Sequence, residues 1–250
     1  MNPLLRALVF DVDGTLADTE RFHLRAFNLA FAEVGLAWHW DEALYTELLE
    51  ISGGKERVLA YWRRACGEMV DIDGTAVAQL VERLHLAKTA YYEAMVNEGL
   101  VDLRPGVLAL MDEARHRGLQ LAIATTTSPV NVAALLRRAV GPGWQLQFPV
   151  VCDAATAPRK KPHPQVYLQA LERLGLPAPS CIAFEDSANG LHAALAAGMD
   201  TVITPTAFTR HHDFSGALRV RPSLAGVAVD HLNAWRTSRA PVADAVGAAG

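Results

Sequence analysis

The run Phe10-Asp11-Val12-Asp13-Gly14-Thr15 closes an apolar segment that starts at Leu4, and it constrains the chain more than any other stretch. Leu4 to Phe10 reads as a buried strand only a few residues from the N-terminus, with carboxylates at its end. Asp11 and Asp13 would share one side of an extended strand, and Gly14 can break the extension and turn Asp13 back toward Asp11. Two carboxylates in one pocket repel, so the pocket calls for a cation, a retained proton, or both. A carboxylate, an acid and a hard cation together suit attack on phosphorus. The competing reading is purely structural, since Asp and Gly also form ordinary turns after a strand.

The 250 residues are 51% apolar and 20% charged, enough to bury the core of one large domain or two modest ones. A formal net charge of -4, with no long run of one sign, argues against a nucleic-acid partner and against a polybasic membrane anchor. No apolar stretch approaches the ~18 residues of a membrane span. The strand beginning near Leu4 leaves no room before it for a cleavable signal segment. Cys66, Cys152 and Cys181 lack C-x-x-C spacing and lie in or beside apolar stretches, which fits buried free thiols in a reducing compartment. The expectation is a cytoplasmic monomer acting on a small molecule, with no membrane or nucleic-acid partner.

Helical spacing of Phe22, Ala26, Leu29, Ala30 and Val34 predicts a helix from Asp18 to a stop at Gly35. Helices follow over Asp41 to Glu50, Lys55 to Glu68 and Gly74 to Asn97, with no convincing strand among them. Strands and helices then alternate. Helices are expected at Pro105 to Arg117, from Ser128-Pro129 through Ala139, at Pro164 to Leu174, Asn189 to Ala197 and Gly226 to Trp235. Strands are expected at Leu119 to Ala124, Phe148 to Cys152, Cys181 to Phe184 and Thr201 to Thr204. Such β-α alternation predicts a doubly wound, Rossmann-like parallel sheet with ligands beyond the carboxyl ends of its strands. The division expected is a core of 1–17 and 100–237, a helical insert of 18–99, and a loose tail of 238–250.

Three further stretches carry chemistry. Ala124-Thr125-Thr126-Thr127-Ser128 is a hydroxyl-rich turn entering a helix, where free amides suit a phosphate oxygen as well as they suit capping. Arg159-Lys160-Lys161-Pro162 places a lysine directly before a helix entrance, suited to neutralising a transferring phosphoryl group. Glu185-Asp186 leaves the apolar strand Cys181 to Phe184. With the Asp-x-Asp-Gly-Thr run, these resemble the four motifs of the haloacid dehalogenase superfamily, and the helices between the first two strands resemble its first class of cap. The resemblance implies that Asp11 is the nucleophile and Asp13 the acid and base, with a Thr125 hydroxyl, a Thr126 amide, and Lys161 (or, one register away, Lys160) on the phosphate. It also implies a Mg²⁺ held by Asp11, Asp186, the Asp13 backbone carbonyl, and Glu185 directly or through water.

Ser52-Gly53-Gly54-Lys55-Glu56-Arg57 puts a glycine turn and two cations at a helix start, a candidate anion cradle. It is not a P-loop, because Leu48 stands where that pattern needs its first glycine. Together with Asp11 to Glu20 and Ala124 to Ser128, it resembles the CbbY group, whose members act as phosphatases of xylulose-1,5-bisphosphate, an inhibitory by-product of Rubisco. That resemblance assigns Glu20 and His23 to sugar hydroxyls and Gly53, Gly54, Lys55, Glu56 and Arg57 to a distal phosphate, with Lys88 a further candidate. Thr19 and His23 also stand at positions like those of β-phosphoglucomutase, which keeps a phosphosugar mutase as the alternative, and a phosphatase of another small ester such as phosphoglycolate is a second.

Overall fold

The computed structural model describes residues 4–67, 71–72 and 75–238. The expected helix end at Glu68, the helix start at Gly74 and the tail beyond Ser238 lie outside them. Strand β1 (Ala7–Phe10) is followed by α1 (Glu20–Glu33), α2 (Glu42–Leu48), α3 (Gly54–Cys66), the strands β2 (Asp71–Ile72) and β3 (Thr75–Ala76), α4 (Val77–Asn97) and α5 (Val107–His116). Then come β4 (Gln120–Ala124), α6 (Pro129–Val140), α7 (Trp144–Gln147), β5 (Val150–Cys152), α8 (Gln165–Leu174), β6 (Cys181–Glu185), α9 (Ala188–Ala196), β7 (Asp200–Ile203), β8 (Arg219–Val220) and α10 (Val229–Ser238).

The segment between β1 and α5 departs from the expected all-helical text in one place, the antiparallel pair β2 and β3. That pair, α7 and β8 are each four residues or fewer, too short to leave a periodic signal. Elsewhere the helix starts follow the local chemistry. Ser128 accepts from the Asn131 amide ahead of Pro129, Ser187 accepts from Gly190, and Asp41 from Leu44, each satisfying a first-turn donor.

The main sheet has the order β5-β4-β1-β6-β7-β8, and every neighbouring pair is parallel. The chain leaves β1 toward β4 and β5 on one side, then returns to β6 on the other. The order therefore reverses between β1 and β6, which opens a crevice at their carboxyl ends. Alternation along the strands sorts side chains by size. Leu8, Phe10, Leu121, Ile123, Ile182 and Phe184 face one hydrophobic cluster, shared with α5, α6 and α10. Ala7, Val9, Ala122, Ala124, Cys181 and Ala183 face the other, where small side chains let α8 and α9 approach closely. Cys152 and Cys181 are buried thiols, and Cys66 is half-buried and also free.

A third cluster gathers Leu24, Phe27, Phe31, Trp40, Tyr45, Val58, Trp62, Val81 and Leu84 from α1 to α4. Helix α4 serves two clusters, because Leu80, Val81 and Leu84 enter the third while Tyr92, Met95 and Val96 enter the first. Among the described residues no helix is long and apolar enough to cross a membrane.

The return from this segment into the core passes Arg104, whose guanidinium donates to the carbonyls of Gly14, Thr204, Pro205 and Pro222. Gly106 follows at φ +87, and a Cβ there would lie 2.0 Å from the Leu224 carbonyl carbon. Gly35, at φ +79, has nothing within 4 Å of the same position. Gly106→Ala is expected to cost more than about 2 kcal/mol in urea unfolding and Gly35→Ala only about 1, so equal losses would contradict this packing.

Candidate active site

The register of β1 on β6 assembles the site. Phe10 pairs with Phe184, their rings stacked 4.6 Å apart, so the next residue of each strand emerges at the same level. Asp11, whose amide donates to the Phe184 carbonyl at 3.0 Å, thus stands beside Glu185. On the other side Phe10 pairs with Ile123, which brings Ala124 and the Thr125 to Thr127 turn to the same edge. All three stretches line one cavity, together with Asp13, Lys161 and Asp186.

Lys161 is buried and fills the centre. Its Nζ donates to Asp11 Oδ1 at 2.6 Å, Glu185 Oε1 at 2.5 Å and the Ala124 carbonyl at 2.9 Å. Burial pushes its pKa down, but Asp11 and Glu185 together outweigh that and hold it raised. Of the two registers, Lys161 is the lysine that reaches Asp11; Lys160 turns to the cavity rim and pairs with Glu56 at 2.6 Å. Tyr167 donates to the same Glu185 oxygen at 2.6 Å, a partner hidden from sequence because its tyrosine sits on an ordinary amphipathic helix.

Asp11, Glu185 and Asp186 are buried, and each offers an oxygen within 4.8 Å of the others. Burial, only partly offset by Lys161, raises the Asp11 carboxyl to about 7, and burial and then Glu185 and Asp11 push Asp186 well up. Three acids with one ammonium among them leave the cluster short of positive charge. An all-oxygen donor set of this kind suits a hard divalent cation. The approach is tight: Gly14 has φ +80, and a Cβ on it would stand 2.3 Å from Asp186 Oδ2. Thr209 Oγ1 donates to that same oxygen at 3.2 Å.

Asp13 faces the other way. Its Oδ1 accepts from Thr19 at 2.7 Å and lies 2.9 Å from His23 Nε2. Burial would push this carboxyl up, but the His23 charge and the hydrogen bonds from His23 and Thr19 hold it below the ordinary carboxylate range. His23 is buried against the Tyr92 ring, with centroids 4.1 Å apart.

The far side of the cavity is built by the helices. Glu20, Gly53, Gly54, Arg57 and Lys88 line it. Tyr45 links two of them, since its hydroxyl donates to Glu20 at 2.7 Å and accepts from Arg57 at 3.2 Å. Arg57 also donates to the Leu48 and Ile51 carbonyls, which ties the glycine turn to the end of α2. Lys88 is buried with its Nζ over the rings of Phe27 and Tyr92, and burial lowers its pKa to about 8. Two expected members of the anion cradle are not brought here. Lys55 turns outward to Glu82 at 2.5 Å, and Glu56 folds back over Gly53, where Lys160 holds its carboxylate at the rim. Thr209, Asn189 and His212 also line the cavity, from loop and helix-start positions that no motif marked.

The family described as haloacid dehalogenase-like hydrolase matches residues 5–198. The plasmid-borne protein CbbY of Cupriavidus necator is 54% identical over 220 residues, covering 88% of this chain and 86% of that one. The crystal structure of CbbY from Rhodobacter sphaeroides in complex with phosphate superposes with a TM-score of 0.85 at 41% identity, covering 92% of this chain and 100% of that one. A mutant of the same protein in complex with xylulose-(1,5)bisphosphate gives a TM-score of 0.83, also at 41% identity, with 92% and 99% covered. With the acids and hydroxyls of three strand ends and the lysine of the loop before α8 converging on one cavity, this chain belongs to the haloacid dehalogenase-like hydrolases, among the CbbY proteins, and is a phosphatase.

Proposed function

We propose that the chain is a Mg²⁺-dependent sugar-phosphate phosphatase that converts xylulose-1,5-bisphosphate to xylulose 5-phosphate in support of Rubisco, with residues 18–99 acting as a cap over a core of 1–17 and 100–237. The observation that carries this reading is a cavity with basic side chains at each end, Lys161 within the acid cluster at one and Lys88 and Arg57 at the other. A bisphosphate needs two such ends. The bisphosphate complex of the Rhodobacter sphaeroides relative supports the choice of sugar.

In this reading Asp11 attacks phosphorus, the ester bond to the sugar oxygen breaks, and an aspartyl-phosphate forms on the Asp11 carboxylate. The departing oxygen takes a proton from Asp13. Water then attacks the aspartyl-phosphate, gives its proton to Asp13, and releases inorganic phosphate. His23 and Thr19 hold Asp13 ionised, so the proton it delivers has to cross its 2.9 Å contact with His23 Nε2. The attack needs help, because a carboxylate approaching a phosphate dianion to ~4 Å meets roughly 8 kcal/mol of repulsion at an effective dielectric of ~20. Lys161 offsets part of that, and the Thr125 hydroxyl and Thr126 amide hold phosphate oxygens. Asp11, Asp186, the Asp13 carbonyl and Glu185 would hold Mg²⁺, whose charge would keep the acids ionised and offset the remaining repulsion. At the far end Glu20 and His23 would take sugar hydroxyls, and Gly53, Gly54, Arg57 and Lys88 the distal phosphate.

Asp11→Asn is expected to lower kcat by about 10³-fold or more, and substantial remaining phosphate release would refute the assignment. Chelation by EDTA should abolish turnover and added Mg²⁺ restore it. Protons and the cation compete for the raised carboxylates, Asp11 near 7 among them, so protons hold the site at low pH. Mg²⁺ should therefore raise Tm more at pH 8 than at pH 5.5, and a larger shift at the lower pH would contradict the ligand set. Lys88 is charged below about 8 and neutral above it, so KM for the bisphosphate should climb above that pH. Lys88→Gln should raise KM at neutral pH and flatten the climb. Phosphate release from xylulose-1,5-bisphosphate but not from its isomer ribulose-1,5-bisphosphate is the expected pattern, and isomerisation of a hexose monophosphate instead would carry the mutase alternative.

A further inference from the structure

Beyond β7 the helical and strand periodicities fade, yet Thr206, Phe208 and Thr209 are buried there. A hydroxyl turn shapes this segment. The Thr206 amide donates to Thr209 Oγ1 at 2.9 Å, and the Phe208 amide donates to Thr206 Oγ1 at 3.2 Å. Thr209 Oγ1 in turn donates to Asp186, and His212 Nδ1 accepts from the Ala188 amide at 3.2 Å, at the first turn of α9. Both ties fasten the segment to the acid end of the cavity.

Its other side reaches the helices. Phe208 belongs to the hydrophobic cluster of α1 to α4, and it is the one buried member among the described residues that comes from beyond α4. Its ring meets Tyr45 edge-on, with centroids 6.0 Å apart at 89°. His212 Nε2 lies 3.0 Å from Glu50 Oε1, just past α2, and Asn189 donates to the Glu50 carbonyl at 2.9 Å. Tyr45, as described above, holds both Glu20 and Arg57.

We propose that Phe208 is a positioning residue for the end of the substrate remote from the acids: seated from the sheet side against Tyr45, it sets the Tyr45 hydroxyl, and through it Glu20 and Arg57, at a fixed span from Asp11 and Asp186. The other buried members of the cluster come from α1 to α4 and, with Trp40, from the loop between α1 and α2, and would shift with them. Among them Phe208 alone is anchored to the strand end that carries Asp186, so it fixes the distance between the acid end and the Arg57 end and thereby selects substrate length. Removing its ring leaves Tyr45 without a wall on that side, while the contacts of Lys161, Asp11 and Glu185 are untouched.

This deepens the sugar-bisphosphate reading and rests on it for the choice of substrate. Phe208→Ala and Phe208→Leu are compared with the unaltered protein in Mg²⁺, on xylulose-1,5-bisphosphate and on para-nitrophenyl phosphate, which has no second phosphate. Phe208→Ala is expected to lose about 10- to 100-fold in kcat/KM on the bisphosphate, carried mostly by KM, and to stay within about 2-fold on the small ester. Phe208→Leu, which refills much of the volume, should recover most of the loss. An equal loss on both substrates, with a matching fall in Tm, would mean general loosening and would overturn the proposal, as would full activity on the bisphosphate. If the unaltered protein turns over the small ester but not the bisphosphate, the substrate reading fails by itself. Phe208 is then judged by a crystal structure of Phe208→Ala, in which Tyr45 displaced from Glu20 and Arg57 supports the positioning role and unchanged contacts overturn it.

Discussion

The buried Lys161 ammonium, clasped by Asp11, Glu185 and the Ala124 carbonyl, is the interaction on which the rest of the site depends. Taking three charges out of water is costly, and their mutual attraction repays that cost only when the geometry is good and the remaining valences are filled. The fold supplies both conditions: Tyr167 fills the second valence of the shared Glu185 oxygen, and the sheet register fixes Asp11 and Glu185 side by side. Even so, three acids around one ammonium leave negative charge unmatched. Burial first, and then the repulsion among the acids, raises the Asp11 and Asp186 carboxyls, and an all-oxygen cluster so short of positive charge suits a hard cation.

The same economy of geometry governs the layers around the site. Because the strands alternate large and small side chains, α8 and α9 lie close against one face of the sheet while bulky residues fill the space toward α5 and α6. Close packing on the α8 and α9 side brings Tyr167 and the Ser187 helix start within reach of Glu185. Arg104 works from the opposite side, gathering the carbonyls of three loops, one of them Gly14 in the acid turn, around a single guanidinium. A cation surrounded by carbonyls stiffens the loops that carry the acids without taking a carboxylate away from the site.

The far side of the cavity, by contrast, is organised from the helices. Glu20, Arg57 and Lys88 come from three different ones, and Tyr45 from a fourth ties two of them together. Lys88 sits between two aromatic rings, and among the described residues no acid is in hydrogen-bonding contact with it, so its charge is buried against rings alone. The division of labour follows from burial: acids and lysine satisfy one another at the sheet edge, while the cations of the helices are held by carbonyls and rings and keep their charge available.

Much of the fold and of the acid end was legible in the residues themselves, because strands as apolar as β1 and β6, with acids directly after them, can place those acids only at the edge of a buried parallel sheet. Helix starts and stops were legible for the same local reason, through Ser128-Pro129 and glycines such as Gly118, Gly175 and Gly198, whereas the Ser187 cap emerged only in the structure. The remainder was not local. Whether Lys160 or Lys161 enters the site depends on which way one loop turns, Lys55 leaves the cavity because a helix spreads successive side chains around its axis, and Glu56 is taken up by Lys160 over Gly53. Tyr45, Tyr167, Phe208 and Thr209 look in sequence like any core tyrosine, phenylalanine or loop threonine. Only the packing of one segment against another, across separations from 12 to 163 residues in the chain, gave them partners and so gave them a place in the site.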